Sequence, residues 1–161
     1  MDEIRFLWII FCFLLSFRNG LPLAAFLTLW ADYFFLFTSD YAMAISFFIF
    51  VQLAYLSHFK RRYFPWQAFS LLLIGQFLPL VLLGMFYAIL FAYHFYLAWQ
   101  KEKVQPSFSR KLYLLGLVLF ICCDMTVAWG YFFSPKPHLV WLFYAPSQLL
   151  LALTAKLMPK E

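Results

Sequence analysis

Residues 66–99 read WQAFSLLLIGQFLPLVLLGMFYAILFAYHFYLAW, and this stretch contains no Lys, Arg, Asp or Glu. An α-helix rises about 1.5 Å per residue, so a single helix over this stretch would measure about 50 Å. The hydrocarbon core of a bilayer is only about 30 Å thick. We therefore expect two helices here, with Pro79 and Gly84 forming the turn between them.

The composition of the whole chain indicates the same class of protein. Of its 161 residues, 66% are hydrophobic, 24% aromatic and 12% charged, whereas soluble domains carry about 25% charged residues. This composition argues against a soluble enzyme, a secreted disulfide scaffold or a disordered tail. The net charge of +5 does not indicate nucleic acid, because Lys and Arg of membrane proteins gather in cytoplasmic loops. We expect an integral protein of the bacterial cell membrane, folded as one domain.

Breaks in the apolar pattern predict an all-α bundle of seven transmembrane helices. The predicted spans are 4–17, 21–38, 41–57, 66–80, 82–99, 111–133 and 138–155. Seven spans place ten of the 12 Lys and Arg residues on one side of the membrane. The positive-inside rule makes that side cytoplasmic, so the N-terminus is predicted outside and the C-terminus in the cytoplasm. Between the fifth and sixth spans, residues 105–109 (QPSFS) carry a signal for the start of a helix.

Two carboxylates, Asp32 and Asp124, fall well inside predicted spans. Counting residues from the outer boundary places them about 10 and 15 Å deep. On the same scale Gln52, His94 and Gln148 lie about 15–18 Å deep. The five side chains are therefore predicted to share one layer in the outer half of the bilayer. A polar residue at this depth is costly, and an ionisable one usually faces the bundle interior and serves a function.

Tyrosines accompany this predicted layer. Tyr144 lies one turn above Gln148 on the same helix face, and Tyr55 similarly neighbours Gln52. His94 is flanked in sequence by tyrosines at 93 and 96. Each polar residue other than the acids also has a structural interpretation, because Gln and His often hydrogen-bond neighbouring helices and Tyr packs as an aromatic residue.

For the two acids, a functional role is favoured over a purely structural one. No Lys or Arg lies at a similar depth, so a salt bridge is not available to Asp32 or Asp124. We expect burial to keep at least one of them protonated. The three cysteines at 12, 122 and 123 lie in apolar segments and show no disulfide or metal-ligand pattern. No metal and no cofactor is predicted.

Four stretches resemble the YhhN-like (lysoplasmalogenase) membrane family. They are 27–36 (LTLWADYFFL), 51–56 (VQLAYL), 119–128 (LFICCDMTVA) and 143–152 (FYAPSQLLLA). The order and spacing of these motifs are those of the family, which has a small residue before Asp in one early and one late helix. Typical members have one further helix at the N-terminus, a histidine where this chain has Gln52, and Ala before the glutamine of the last helix.

The resemblance implies hydrolysis of the vinyl-ether bond of a lysoplasmalogen, a lysophospholipid of the membrane. This reaction needs one protonated acid and one carboxylate, as in glycosidases. The resemblance assigns these roles to Asp32 and Asp124 without deciding which is the acid. Tyr144, Gln148 and His94 would orient water or the glycerol oxygens, and Gln52 and Tyr55 complete the candidate substrate-binding set.

The residues leave other functions open. A non-enzymatic membrane subunit could bind a hydrophobic ligand or assemble with transport or cell-envelope machinery. A proton-coupled carrier could also use buried aspartates, although no inverted repeat is evident. A retinal-type receptor is disfavoured, because Lys156 lies at the end of the last span. The oligomeric state is also left open.

Overall fold

The computed structural model describes residues 2–60, 77–133 and 137–157. Within these residues the chain forms six α-helices and no β-strand. The helices are α1 Asp2–Asn19, α2 Pro22–Tyr33, α3 Tyr41–Phe59, α4 Leu80–Val104, α5 Phe108–Phe132 and α6 Pro137–Thr154. A π-helix, Phe34–Thr38, extends α2, and a 3-10 turn, Ala155–Leu157, follows α6. The all-α prediction is confirmed for this part of the chain.

Polar side chains start two of the helices. The Asp40 carboxylate accepts the backbone N–H of Met43 at 3.0 Å and caps α3. The Ser107 hydroxyl accepts the backbone N–H of Arg110 at 3.3 Å and caps α5. Each cap satisfies a donor that the first turn of a helix leaves without a partner. The helix start predicted in 105–109 is confirmed.

The helix boundary predicted near Pro79 is confirmed for the start of the second helix, and the turn predicted at Gly84 is wrong. Helix α4 begins at Leu80, directly after Pro79, because proline has no N–H to continue a preceding helix. Gly84 lies inside α4, where a Cβ atom would meet nothing within 4 Å. A helix position of this kind tolerates glycine at a cost of about 1 kcal/mol relative to alanine. The predicted fourth span, 66–80, lies outside the described residues except for 77–80.

Contacts along the helices show that α3 and α4 run parallel. The rings of Phe48 and Tyr87 lie 6.1 Å apart near the start of both helices. Near their ends, the Lys101 ammonium donates to the Phe59 carbonyl at 3.3 Å. Helices α1 and α6 run in this same direction, whereas α2 and α5 run the opposite way. The last residues of α3 and the first residues of α4 therefore lie at opposite ends of the bundle.

Basic residues gather at one end of the bundle. Arg5 lies over the Trp141 ring at 5.6 Å at the end that contains Asp2. The Lys156 ammonium donates to the Arg18 carbonyl at 3.4 Å at the opposite end, which we call the Leu157 end. Within the described ranges, the other Lys and Arg side chains all belong to this Leu157 end: Arg18, Lys60, Lys101, Lys103, Arg110, Lys111 and Lys156.

The outer surface of the bundle is apolar. Three helices, Tyr41–Phe59, Leu80–Val104 and Phe108–Phe132, are long and apolar enough to cross a membrane, and α2 with its π-helix and α6 are shorter apolar helices. Large hydrophobic side chains such as Ile89, Met125 and Leu142 are each more than 60% exposed. Water-soluble monomers rarely expose contiguous apolar surface on this scale. The chain is a membrane protein.

Candidate functional site

Asp32 of α2 is paired with Tyr144 of α6. The Tyr144 hydroxyl donates a short hydrogen bond to Asp32 Oδ2, and both residues are buried. The Tyr144 ring is held by Trp141, stacked at 5.5 Å, and by Phe120 at 5.6 Å. Among the described residues, Asp32 has no basic partner. This arrangement is a buried acid whose hydrogen-bond partner is a single neutral hydroxyl.

Asp124 of α5 is paired with Tyr87 of α4. The Tyr87 hydroxyl donates to Asp124 Oδ2 at 2.8 Å. Both residues are half-buried, so Asp124 is more accessible than Asp32. Within the part of the chain that the structure describes, Asp124 also lacks a basic partner. The second acid therefore has the same kind of partner as the first.

The two acids lie around a common group of side chains. The Tyr144 hydroxyl is within electrostatic range of both Asp32 and Asp124. The Cys123 thiol, adjacent to Asp124 in sequence, is also within electrostatic range of both. The predicted acid–carboxylate pair stays a prediction.

His94 of α4 lies at the centre of a second polar cluster. Its Nδ1 atom is 2.7 Å from Gln52 Oε1 on α3, and its Nε2 atom is 2.7 Å from the Tyr113 hydroxyl on α5. Gln52, His94 and Tyr113 are each at most 1% exposed. Tyr55 stacks on the imidazole ring at 4.8 Å. Both ring nitrogens are thus occupied by protein groups.

Helix α4 carries both His94 and Tyr87, the tyrosine that donates to the second acid. Tyr113 and Asp124 lie eleven residues apart on α5, a rise of about 16 Å. The polar groups therefore follow the length of the bundle and do not form the single layer that was predicted. The prediction counted depth from Gly84, but α4 begins four residues earlier.

A small cavity of about 10 Å³ lies between α1, α2, α3 and α6. Its polar lining residues are Ser16, Thr28, Tyr55 and Gln148. A cavity of this size holds about one water molecule. Asp32 follows Thr28 by one helical turn, and Tyr144 precedes Gln148 by one turn, so the Asp32–Tyr144 pair lies one turn from the cavity.

The structure brings together the sequence-predicted residues in two sets. Asp32, Tyr144 and Gln148 belong to α2 and α6, beside the cavity. Asp124, Gln52 and His94 belong to α3, α4 and α5. Tyr55 joins the two sets, because it stacks on His94 and also lines the cavity. Among the described residues, no group of three His, Cys, Asp or Glu side chains is arranged to hold a metal ion.

Two tyrosines of these networks were not predicted. Tyr87 lies two helical turns before His94, which places both on one face of α4. Tyr113 is predicted only as part of an apolar span, although it is fully buried. The sequence neighbours Tyr93 and Tyr96, which were grouped with His94, are instead 40% and 47% exposed. Helical spacing from His94 is the signal that could have identified Tyr87.

No protein-family model matches the chain, and no curated protein or solved structure is significantly similar to it. The resemblance to the YhhN-like family therefore stays a prediction. The chemistry of the site rests on the geometry of the two acid–tyrosine pairs and of the side chains that contact them.

Proposed function

We propose that the protein is a membrane hydrolase that cleaves the vinyl-ether bond of a lysoplasmalogen. One observation carries the proposal: two intramembrane carboxyl groups, Asp32 and Asp124, each bound by a tyrosine hydroxyl and neither paired with a basic residue of the described chain. An intramembrane acid without a counter-ion is costly, and it is kept where it serves a function. The chemistry of a vinyl ether explains the use of two of them.

Hydrolysis of a vinyl ether begins with protonation of carbon. A carboxylic acid transfers its proton to the β-carbon of the double bond, and the α-carbon becomes an oxocarbenium ion. A carboxylate stabilises this cation and removes a proton from the water that attacks it. The resulting hemiacetal breaks into a fatty aldehyde and the glycerophospho-alcohol. Asp32 and Asp124 form the acid–carboxylate pair that this sequence of steps requires, as in glycosidases.

The remaining site residues have supporting roles. Gln148 and Tyr55 line the cavity beside the Asp32–Tyr144 pair, and they are placed to orient the attacking water. Tyr144 holds the Asp32 carboxyl group in position. His94 and Gln52 hydrogen-bond to each other and hold together α3 and α4, the helices that carry Tyr55 and Tyr87. The apolar walls of the helices accommodate the alkenyl chain of a single-chain lipid that enters from the bilayer.

We also propose the seven-span topology, with the N-terminus outside a bacterial cell membrane and the C-terminus in the cytoplasm. It is supported by the parallel directions of α3 and α4, because two parallel spans need a further crossing between them. It is also supported by the basic residues at the Leu157 end, which the positive-inside rule assigns to the cytoplasm.

One observation favours a second function. The cavity holds about one water molecule, which is far less than an alkenyl chain requires. A non-enzymatic subunit, in which the polar clusters hold the helices together and a hydrophobic ligand or a partner protein binds the outer surface, needs no larger cavity. Such a subunit would bind lipid without turnover.

The experiment is a hydrolysis assay with purified protein in nanodiscs. The substrate panel contains a lysoplasmalogen, the saturated alkyl-ether lysolipid and the acyl-ester lysolipid. Free aldehyde is measured together with the glycerophospho-alcohol, which hydrolysis of any of the three lipids would release. We expect aldehyde from the vinyl ether alone, because only that bond forms an oxocarbenium ion on protonation. Absence of turnover with all three lipids would reject the hydrolase and favour the binding subunit.

A further inference from the structure

The cavity between α1, α2, α3 and α6 is lined by two polar side chains that have no hydrogen-bond partner in the described chain. These are the Tyr55 hydroxyl and the Gln148 carboxamide. The two residues are only 7% and 9% exposed, so bulk water does not reach them freely. Leaving a buried polar group without a partner is costly, and nearly all such groups in native proteins have one. The cavity must therefore hold a partner for both.

The other two polar lining residues have already used their hydrogens. The Ser16 hydroxyl donates to the Phe13 carbonyl at 2.6 Å, and the Thr28 hydroxyl donates to the Ala24 carbonyl at 3.0 Å. A hydroxyl has one hydrogen and two lone pairs. Both oxygens can therefore take part in a further hydrogen bond only as acceptors.

One water molecule matches this set of groups. It can accept hydrogen bonds from the Tyr55 hydroxyl and the Gln148 NH₂, and it can donate its two hydrogens to the oxygens of Ser16 and Thr28. The cavity volume of about 10 Å³ is enough for about one water, and buried waters make between about two and four hydrogen bonds. Both the size and the hydrogen-bonding groups of the cavity thus fit a single water.

A small cation does not match the same groups, although four oxygen atoms line the cavity. A cation accepts no hydrogen bond, so the Tyr55 O–H and the Gln148 NH₂ would still have no acceptor. A hydronium or ammonium ion fails for the same reason, because its hydrogens can only donate. The ligand that satisfies the cavity must both donate and accept, and it must be neutral.

The cavity lies beside the Asp32–Tyr144 pair, on the side of the Leu157 end. Thr28 precedes Asp32 by one turn on α2, and Gln148 follows Tyr144 by one turn on α6. The hydrogen bond between Asp32 and Tyr144 joins these two helices. A water between Thr28 and Gln148 would join the same two helices one turn further along.

We propose that the cavity is a binding site for one water molecule, which accepts hydrogen bonds from Tyr55 and Gln148 and donates hydrogen bonds to Ser16 and Thr28. This water joins α1, α2, α3 and α6 next to the first acid–tyrosine pair. The binding of the water does not depend on any reaction. Its use as the attacking water rests on the proposed function.

The first test is transfer of NMR magnetisation from water to the side-chain amides of ¹⁵N-glutamine-labelled protein in nanodiscs. The Gln148 signal is assigned by its loss in Gln148→Leu. We expect transfer to the Gln148 NH₂ and none to the Gln52 NH₂, because Gln52 is buried against His94 and does not line the cavity. Absence of transfer to Gln148 would show a dry cavity and overturn the proposal.

Two valine variants test the hydrogen bonds of the water. Thr28→Val and Thr154→Val each replace a threonine that is 4% exposed and donates to the carbonyl four residues earlier, but only Thr28 lines the cavity. We expect Thr28→Val to reduce the transfer to Gln148 by about two- to tenfold, because the water loses one hydrogen bond. Thr154→Val should leave the transfer unchanged. Equal effects of the two variants would overturn the proposal.

Thermal unfolding separates water from a cation. We expect the same Tm in NaCl, KCl and choline chloride at equal ionic strength. A Tm that rises with Na⁺ alone, and no longer rises in Thr28→Val, would overturn the proposal in favour of a cation site.

The outcomes separate this proposal from the proposed function. A dry cavity in a protein that hydrolyses lysoplasmalogen would overturn the water site and leave the hydrolase standing. A bound water in a protein that hydrolyses none of the three lipids would reject the hydrolase and support the water site.

Discussion

Asp32 and Asp124 are the same residue type, at membrane depth, and each accepts a hydrogen bond from a tyrosine. They differ in how deeply the side chain is buried. Asp32 is 5% exposed, whereas Asp124 is half-buried. Burying a charge without a counter-ion is costly, so we expect Asp32 to be the neutral acid of the pair and Asp124 the carboxylate. The comparison teaches that burial can divide the roles of two acids that have the same kind of hydrogen-bond partner.

The largest effect is expected from removing either acid. Asp32→Asn and Asp124→Asn should each reduce aldehyde release by about 10³-fold, within the range that proton transfer by a positioned side chain contributes. The matched control is Asp40→Asn, because asparagine caps a helix as well as aspartate does, and Asp40 caps α3. Near-native activity in either of the first two variants would remove the two-acid mechanism.

The two tyrosines should differ in their contribution. Tyr87→Phe removes a hydrogen bond to a charged carboxylate and should lower kcat by about 10- to 100-fold. Tyr144→Phe removes a hydrogen bond to a neutral acid and should lower kcat by about three- to tenfold. Single-turnover rates in nanodiscs would measure both variants. The reverse order of the two losses would contradict a neutral Asp32 and an ionised Asp124.

Tyr113 should contribute to stability more than an exposed tyrosine. Tyr113→Phe leaves His94 Nε2 buried without a donor, and hydrogen bonds between membrane helices contribute about 0.6 kcal/mol on average and up to about 1.7 kcal/mol. Tyr96→Phe is the control on α4, where the hydroxyl accepts a hydrogen bond from exposed Gln100. Thermal unfolding in detergent should show a lower Tm for Tyr113→Phe alone. Equal Tm values for the two variants would show that the buried bond adds nothing.

The last pair of variants tests the packing of α6, the helix that carries Tyr144. At Gly20 a Cβ atom would lie 2.7 Å from the Ala152 carbonyl of α6, whereas at Gly84 it would meet nothing within 4 Å. Gly20→Ala should therefore lower the free energy of unfolding, and Gly84→Ala should raise it by about 0.5–1 kcal/mol. The pair can be compared by urea or thermal unfolding in detergent. Stabilisation by Gly20→Ala would contradict the close approach of α1 and α6.

Much of the fold could be predicted from the sequence. Charge and proline interrupt the apolar runs, so the ends of the helices are marked by residues such as Pro79, Asp40 and Ser107. The prediction went wrong at Gly84, because glycine is compatible with a helix as well as with a turn. An error in a helix boundary shifts every depth that is counted from that boundary. This is why His94 was predicted at the same depth as Asp124.

The candidate site was predicted less completely. Asp32, Asp124 and His94 stand out because ionisable residues are rare in apolar spans, and Tyr144 follows from its spacing to Gln148. Tyr87 and Tyr113 do not stand out, because tyrosine is common throughout this chain and α4 is apolar on all sides. A helix without a polar side gives no sign of which tyrosine faces the bundle. Only the contacts with α3 and α5 separate Tyr87 from exposed Tyr93.

Infrared spectroscopy of the two acids tests the central claim most directly. A protonated carboxyl group has a C=O band that a carboxylate lacks, and we expect one such band from the membrane-embedded acids at neutral pH. The account predicts that Asp32→Asn removes this band and that Asp124→Asn and Asp40→Asn retain it. Loss of the band in Asp124→Asn, with retention in Asp32→Asn, would contradict the division of roles between the two acids.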